Sequence, residues 1–192
     1  MHKLAAAVIC AMGLGTVPAK AVNEFEGSLR ALAEADLSPW AADPAIVAAV
    51  RAQNAAHASL TQADIDAMDG TWRAEVGASA APLIASVMER EESSWLRERK
   101  TAAAGLITEV FVMDNRGLNV AQSDVTSDYW QGDEPKWQET FGAGPGAMHL
   151  SEVELDESTQ TYQSQVSLTV VDPESGAAIG AITFGIDLTL LQ

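Results

Sequence analysis

Residues 166–191, VSLTVVDPESGAAIGAITFGIDLTLL, read as two strands joined by the turn Asp172-Pro173-Glu174-Ser175-Gly176. Side chains alternate sides along a strand, and here the two sides are unlike. Ile182, Phe184, Ile186 and Leu188 share one face; Ala181, Thr183, Gly185 and Asp187 share the other. The preceding strand, Thr161 to Val171, repeats the division, with Val166, Leu168 and Val170 opposed by Gln165, Ser167 and Thr169. The bulky face has to be buried under helices, while the small, polar face either lines a cavity or meets water. A floor of Gln165, Ser167, Thr169, Thr183 and Asp187 would suit a small polar ligand.

Working outward, Met148 to Leu155 makes a third strand, set off by the glycine-rich break at Gly142 to Gly146. Leu106 to Met113 and Leu118 to Gln122 form a hairpin around Asp114-Asn115-Arg116-Gly117. Before Gly105 the chain is rich in alanine and helix formers. Phe25, Leu29 and Leu32 recur at helical spacing up to Pro39, which closes that segment. Asp43-Pro44 caps the next helix, and Thr61 with Asp64 makes a capping box, with Leu60 and Ile65 as its staple. One long helix is expected from Ser79 to Lys100, with Ile84, Val87, Met88, Glu91 and Trp95 on one side; Glu91 falls on that buried-looking stripe, with a rim position or an ion pair as the plainer explanation. The sum is an α+β domain: an antiparallel five-stranded sheet, a long helix before it and additional N-terminal helices.

The chain has 192 residues and a formal net charge of −16. Its first 21 residues combine a basic start (His2, Lys3), an apolar run from Leu4 to Leu14 and the small-residue pattern Ala19-Lys20-Ala21, so a signal peptide cleaved after Ala21 is expected. That run falls short of the roughly 20 residues a membrane helix needs. Cys10, the only cysteine, follows the bulky Ile9, which disfavours lipid attachment. Cleavage would remove Lys3, Lys20 and no acid, leaving a periplasmic or secreted acidic protein with a charge of about −18 and no disulfide. Nucleic acid and anionic lipid surfaces are disfavoured partners for such a chain.

With the order of elements in hand, residues 79–191 resemble the single-unit Cache (PDC) domains, extracytoplasmic PAS-like sensors. The likeness lies in FVMDNRGLNVAQSD (111–124), similar to that family's first hairpin, with V-x-D-x-x-G at Val112 to Gly117, and in the closing strands, with Gly180 to Asp187 reading G-A-I-T-F-G-I-D. The resemblance implies a PAS-like sheet and a pocket for a small polar metabolite: a carboxylate, an amino acid or an amine. It divides the chain into a signal peptide (1–21), a helical N-terminal extension (22–78) and a ligand-binding domain (79–192). Receptors of this kind continue into a membrane helix and an output module, whereas this sequence stops after the last strand. A free exported form that signals through a separate membrane receptor partner is therefore expected, with no membrane anchor once processed.

The densest candidate segment is 123–137, SDVTSDYWQGDEPKW. Tyr129, Trp130 and Trp137 could wall off a ligand and Lys136 could pair with a carboxylate; alternatively, the two tryptophans, seven apart, anchor one helical face to the core. Asp124, Asp128, Asp133 and Glu134 lack the spacing of an EF-hand and are better read as caps and solvated acids, so no metal or other cofactor is expected. Catalysis has little support: His57 and His149 are far apart in sequence and no cysteine remains after processing. Gly142 to Gly146 leads into a strand and lacks the Lys-Ser/Thr of a phosphate loop. The expected ligand-binding set is thus Tyr129, Trp130, Lys136, Trp137, Gln165, Ser167, Thr183 and Asp187, in a binding protein and not an enzyme. The competing expectation is an interaction or structural accessory protein that docks a partner through its helices and takes no small molecule.

Overall fold

The computed structural model describes residues 24–156 and 161–191; the expected signal peptide lies outside them. Ile182, Phe184, Ile186 and Leu188 do form the centre of the main core, together with Val166, Leu168 and Val170 from the neighbouring strand and Val110 and Val112 from the hairpin. Each such side chain taken out of water contributes about 1.5–3 kcal/mol. Helices α1 (Glu26–Leu32), α2 (Ser38–Ala41), α3 (Pro44–Ala56) and α6 (Glu91–Ala102) cover this face. They supply Leu29, Trp40, Val47, Val50 and Leu96 to the same core, so residues well before 79 pack directly on the sheet. Helices α4 (Gln62–Glu75) and α5 (Pro82–Met88) enclose a second, smaller core of Ile65, Trp72, Ile84 and Val87 with Leu118 and Tyr129.

The fold is α+β with an antiparallel sheet in PAS-like order. Strands β1 (Ile107–Met113), β2 (Asn119–Gln122), β3 (Met148–Leu150), β4 (Glu154–Asp156), β5 (Thr161–Val171) and β6 (Ala178–Asp187) are arranged β2-β1-β6-β5-β3, with β4 also on β5. The caps read from the sequence are formed: Asp43 accepts from the Ala45 N–H at 2.9 Å, and Thr61 and Asp64 bond reciprocally. In the β1–β2 turn Gly117 adopts φ 82°, a conformation only glycine takes freely.

Four local expectations are corrected. Pro39 does not end the first helical segment; the chain widens into a π-helical stretch, Ala33–Leu37, and resumes helix at Ser38. Proline has no N–H and crowds the carbonyl four residues back, and the wider turn accommodates both while the Ser38 hydroxyl donates to the Ala33 carbonyl at 2.8 Å. The long helix is broken at Glu89-Arg90, because Arg90 is extended (ψ 149°) and sends its guanidinium inward to Gln53 Oε1 (2.8 Å) and the Val120 carbonyl (2.6 Å). Glu91, placed on the buried stripe by helical periodicity, starts α6 and is exposed. The strand expected from Met148 to Leu155 is two strands, giving six among the described residues, because the Ser151 hydroxyl accepts from the Gln165 N–H (2.7 Å) where a backbone carbonyl would continue the ladder.

Candidate functional site

The small face of the sheet is built in cross-strand rows. Phe111, Thr183, Ser167 and His149 lie side by side in one row, and Met113, Ala181 and Thr169 in the next. Both are roofed by α7 (Pro135–Gln138) and the residues after it, with Trp137 and Phe141 packed on Phe111, Met113 and Ala181. Under this roof Ser167 and Thr183 are fully buried and bond each other at 2.9 Å. The row on the other side is Glu109, Gly185 and Gln165; it lies outside the roof, and Glu109 and Gln165 line a groove.

Glu109 reaches this row through a β-bulge. Ile107 pairs with Ile186 and Glu109 with Gly185, so Thr108 is an extra residue in β1. Ile107 and Val110 point into the main core, which puts Thr108 and Glu109 together on the small face. Gly185 gives them room: a methyl group there would collide with Thr108 Oγ1 and lie 2.8 Å from Glu109 Cγ. The Thr108 hydroxyl donates to Gln163 Oε1 at 2.8 Å, and Gln165 Nε2 donates to Glu109 Oε1 at 3.0 Å.

Two adjoining cavities make up the groove. The first, about 360 Å³, is lined by Glu109, Ser151, Glu154, Leu155, Gln163 and Gln165 among others. The second, about 390 Å³, shares Ser151, Glu154 and Gln165 with it and runs under α7 past Glu134, Lys136, Glu139 and His149. Lys136 bonds Glu134 at 2.8 Å, and its ammonium stands 5.4 Å above the centre of the Phe111 ring. His149 Nδ1 lies 2.9 Å from Glu139. Burial pushes the Glu109 carboxyl above the usual carboxylate range, while the Gln165 hydrogen bond and the nearby Lys136 pull it back.

Of the eight residues proposed from sequence, the structure brings Lys136 and Gln165 together in the groove. Ser167 and Thr183 sit on the expected face but beneath the roof. Asp187 is turned to its own chain end, where one oxygen accepts from both the N–H (2.8 Å) and the hydroxyl (2.6 Å) of Thr189. Tyr129 lies in the second core, stacked on Trp72 with ring centres 5.1 Å apart, and burial pushes its hydroxyl up to about 12. Trp130 and Trp137 spend their indole N–H groups on the β1–β2 turn, bonding the Arg116 carbonyl (2.8 Å) and the Asp114 carbonyl (3.0 Å). These contacts anchor the segment, but not through one helical face as the spacing of seven suggests: Trp130 forms a β-bridge with Leu118 and only Trp137 lies in α7. Sequence reasoning missed Glu109, Gln163, Ser151 and Glu154. A lone glutamate inside the apolar run Ile107 to Met113 was the available signal for the first.

Two more acids of the aromatic segment are engaged, Asp124 pairing with Lys100 at 2.6 Å and Asp128 with Arg73 at 3.2 Å, while Asp133 is exposed. Among the described residues no group of three or more His, Cys, Asp or Glu is placed to hold a metal ion, and no helix is long and apolar enough to cross a membrane.

Comparison with known proteins returned no matching family model and no matching curated protein. Solved structures with a similar arrangement include the sensor domain of the Vibrio cholerae histidine kinase DctB, at 12% identity and a TM-score of 0.40 over 65% of this chain and 45% of that one. The sensory domain of the Campylobacter jejuni chemoreceptor Tlp3 with isoleucine bound is similar at 13% identity and a TM-score of 0.40 over 87% and 65%. A third is the ligand-binding domain of the Pseudomonas aeruginosa chemoreceptor PctC in complex with GABA, at 14% identity and a TM-score of 0.37 over 66% and 51%. The chain thus spans about half to two thirds of the length of these sensor domains.

Proposed function

We propose that this protein is an exported, Cache-like sensor domain that binds a small polar metabolite in the groove between α7 and strands β3 to β5, and that a separate membrane partner reads its occupancy. The observation that carries this reading is the Glu109–Gly185–Gln165 row. The bulge turns Thr108 and Glu109 together onto the small face, the missing side chain of Gly185 makes room for them, and a partly buried carboxylate and an amide are thereby held at the wall of an open cavity. In this reading residues 79–192 are the binding unit, and α1 to α3 of the N-terminal extension, with α6, close its opposite face. The export signal read in residues 1–21 supports a location in the periplasm or outside the cell.

Binding, not chemistry, fits the groove. His149 in its wall faces Glu139, and His57 is held by Asp114 at 2.8 Å in the hairpin turn. A thermal-shift screen of carboxylates, amino acids and amines tests the reading. At least one class should raise the melting temperature in a saturable way, and Gln165→Ala should weaken that effect. Stabilisation by none of them would refute it.

A second reading, an accessory protein that docks a partner, draws on the exposed apolar side chains Val153, Leu155, Tyr162 and Leu190 near one end of the sheet. Recovery of a membrane partner by the intact chain, lost in Tyr162→Ser and kept in Gln165→Ala, would favour it over the first.

A further inference from the structure

The groove carries more carboxylates than it can neutralise. Glu109, Glu134, Glu139, Glu152 and Glu154 line its two cavities, with Lys136 as the only lysine or arginine among the described lining residues and His149 already beside Glu139. An excess of one charge in a concave, partly desolvated site draws in ligands of the opposite sign. Lys136 itself shows how an ammonium sits at the edge of the groove, against the roofed row. Its Nζ rests over the face of Phe111, is held by Glu134 at 2.8 Å and has Gln131 Oε1 at 3.4 Å, with only 14% of the side chain exposed. An aromatic face, a carboxylate and an amide oxygen are the components of a receptor for a primary ammonium.

We propose that the groove is selective for a cationic ligand carrying a primary ammonium, and that Lys136 is a built-in competitor occupying the ammonium position over Phe111 until the ligand displaces it. This rests on the groove being the binding site. The ligand's ammonium would take the place beside Glu134 and Phe111, and Glu109 with Gln165 would hold its polar far end. Lys136 belongs to α7, the roof of the neighbouring rows, so displacement would act first on the element that covers the small face.

Two probes of equal carbon length and opposite charge, cadaverine and glutarate, separate the possibilities by calorimetric titration against the full processed chain and its Lys136→Gln and Glu109→Gln variants. Cadaverine should bind the native protein, bind Lys136→Gln about fivefold more tightly through loss of a partly exposed ion pair, and bind Glu109→Gln at least tenfold more weakly. Unliganded melting curves would establish that both variants are folded. Glutarate binding that is lost in Lys136→Gln, without cadaverine binding, would overturn the cationic assignment and leave the groove as the site. Cadaverine binding unchanged in both variants would overturn the competitor role and the placement alike. Binding of neither probe would refute the present inference, and extension of that result to the whole thermal-shift screen would refute the groove reading as well.

Discussion

Replacing Asp114 by alanine should remove about 3–5 kcal/mol of stability. The side chain is fully buried at the β1–β2 turn. One oxygen accepts from the Arg116 N–H (2.8 Å) and the Leu118 N–H (3.0 Å), and the other from Gln53 Nε2 (3.0 Å), with His57 Nδ1 at 2.8 Å. In the alanine variant Gln53 keeps a carbonyl partner at Asn119 (3.1 Å) and His57 can reach water, but the N–H of the buried Leu118 is left without an acceptor from that side chain. An orphaned buried donor costs about 1–3 kcal/mol, and loss of the hydrogen bonds to the ionised carboxylate adds a comparable amount. The Asp114→Asn variant keeps an amide oxygen for the two turn N–H groups and should lose only about 1–2 kcal/mol. Urea denaturation followed by tryptophan fluorescence reads both, aided by the bond of Trp137 to the Asp114 carbonyl. An alanine variant within about 1 kcal/mol of the native protein, or an asparagine variant equally damaged, would refute the view that side-chain acceptance at the turn holds this hairpin.

Gly185→Ala should cost about 1–3 kcal/mol from overpacking against Thr108 and Glu109 and, by displacing the Glu109 side chain, should weaken groove binding; a variant that still binds ligand with native affinity in titration would show that the placement of Glu109 is not used. Because burial raises the Glu109 carboxyl, its contribution favours the folded state at low pH and is lost as pH rises from the ordinary glutamate range through the raised value; Glu109→Gln should therefore melt higher than native at neutral pH, with the gap closing in acid. The Arg51 hydrogen bond lowers the Asp172 carboxyl to about 2, so its pairing with Arg51 stabilises the fold above the ordinary aspartate range and fades as pH falls toward that value; the melting difference between native and Asp172→Asn should shrink correspondingly in acid. Trp72→Ala, which empties the second core beside Tyr129, should lose about 3–5 kcal/mol in denaturant titration.

The sheet was legible because its information is local and periodic. Alternation in Val166 to Val171 and Ala181 to Leu188 sorts bulky from small residues, and Ile182, Phe184 and Ile186 enter the main core as sorted, although Ala181 and Thr183 on the other face are buried as well. The caps at Asp43 and Thr61 were legible for the same reason, each depending on residues within a single turn. Other features depend on distant partners. The break at Arg90 is explained by Gln53 and Val120, neither of which helical periodicity can anticipate. The aromatic segment misled because composition shows that Trp130 and Trp137 are costly residues but not what they contact. Their N–H groups meet carbonyls at positions 116 and 114, in the preceding hairpin.

The location of the groove follows from a contrast within one face. All three rows present small residues on β6, namely Ala181, Thr183 and Gly185, so alternation alone makes them equivalent. The difference comes from β1. At Met113 and Phe111 it offers apolar side chains, on which Trp137 and Phe141 can pack, and the space above closes. At Glu109 it offers a carboxylate that an aromatic roof could not cover without losing water and gaining no partner. The cover therefore stops there, and α7 ends its contact with its lysine, whose ammonium stays near polar oxygens while its stem lies on Phe111. A single acid at a bulge thus separates a sealed layer from an open one, and it does so at the position where the open layer acquires a charge.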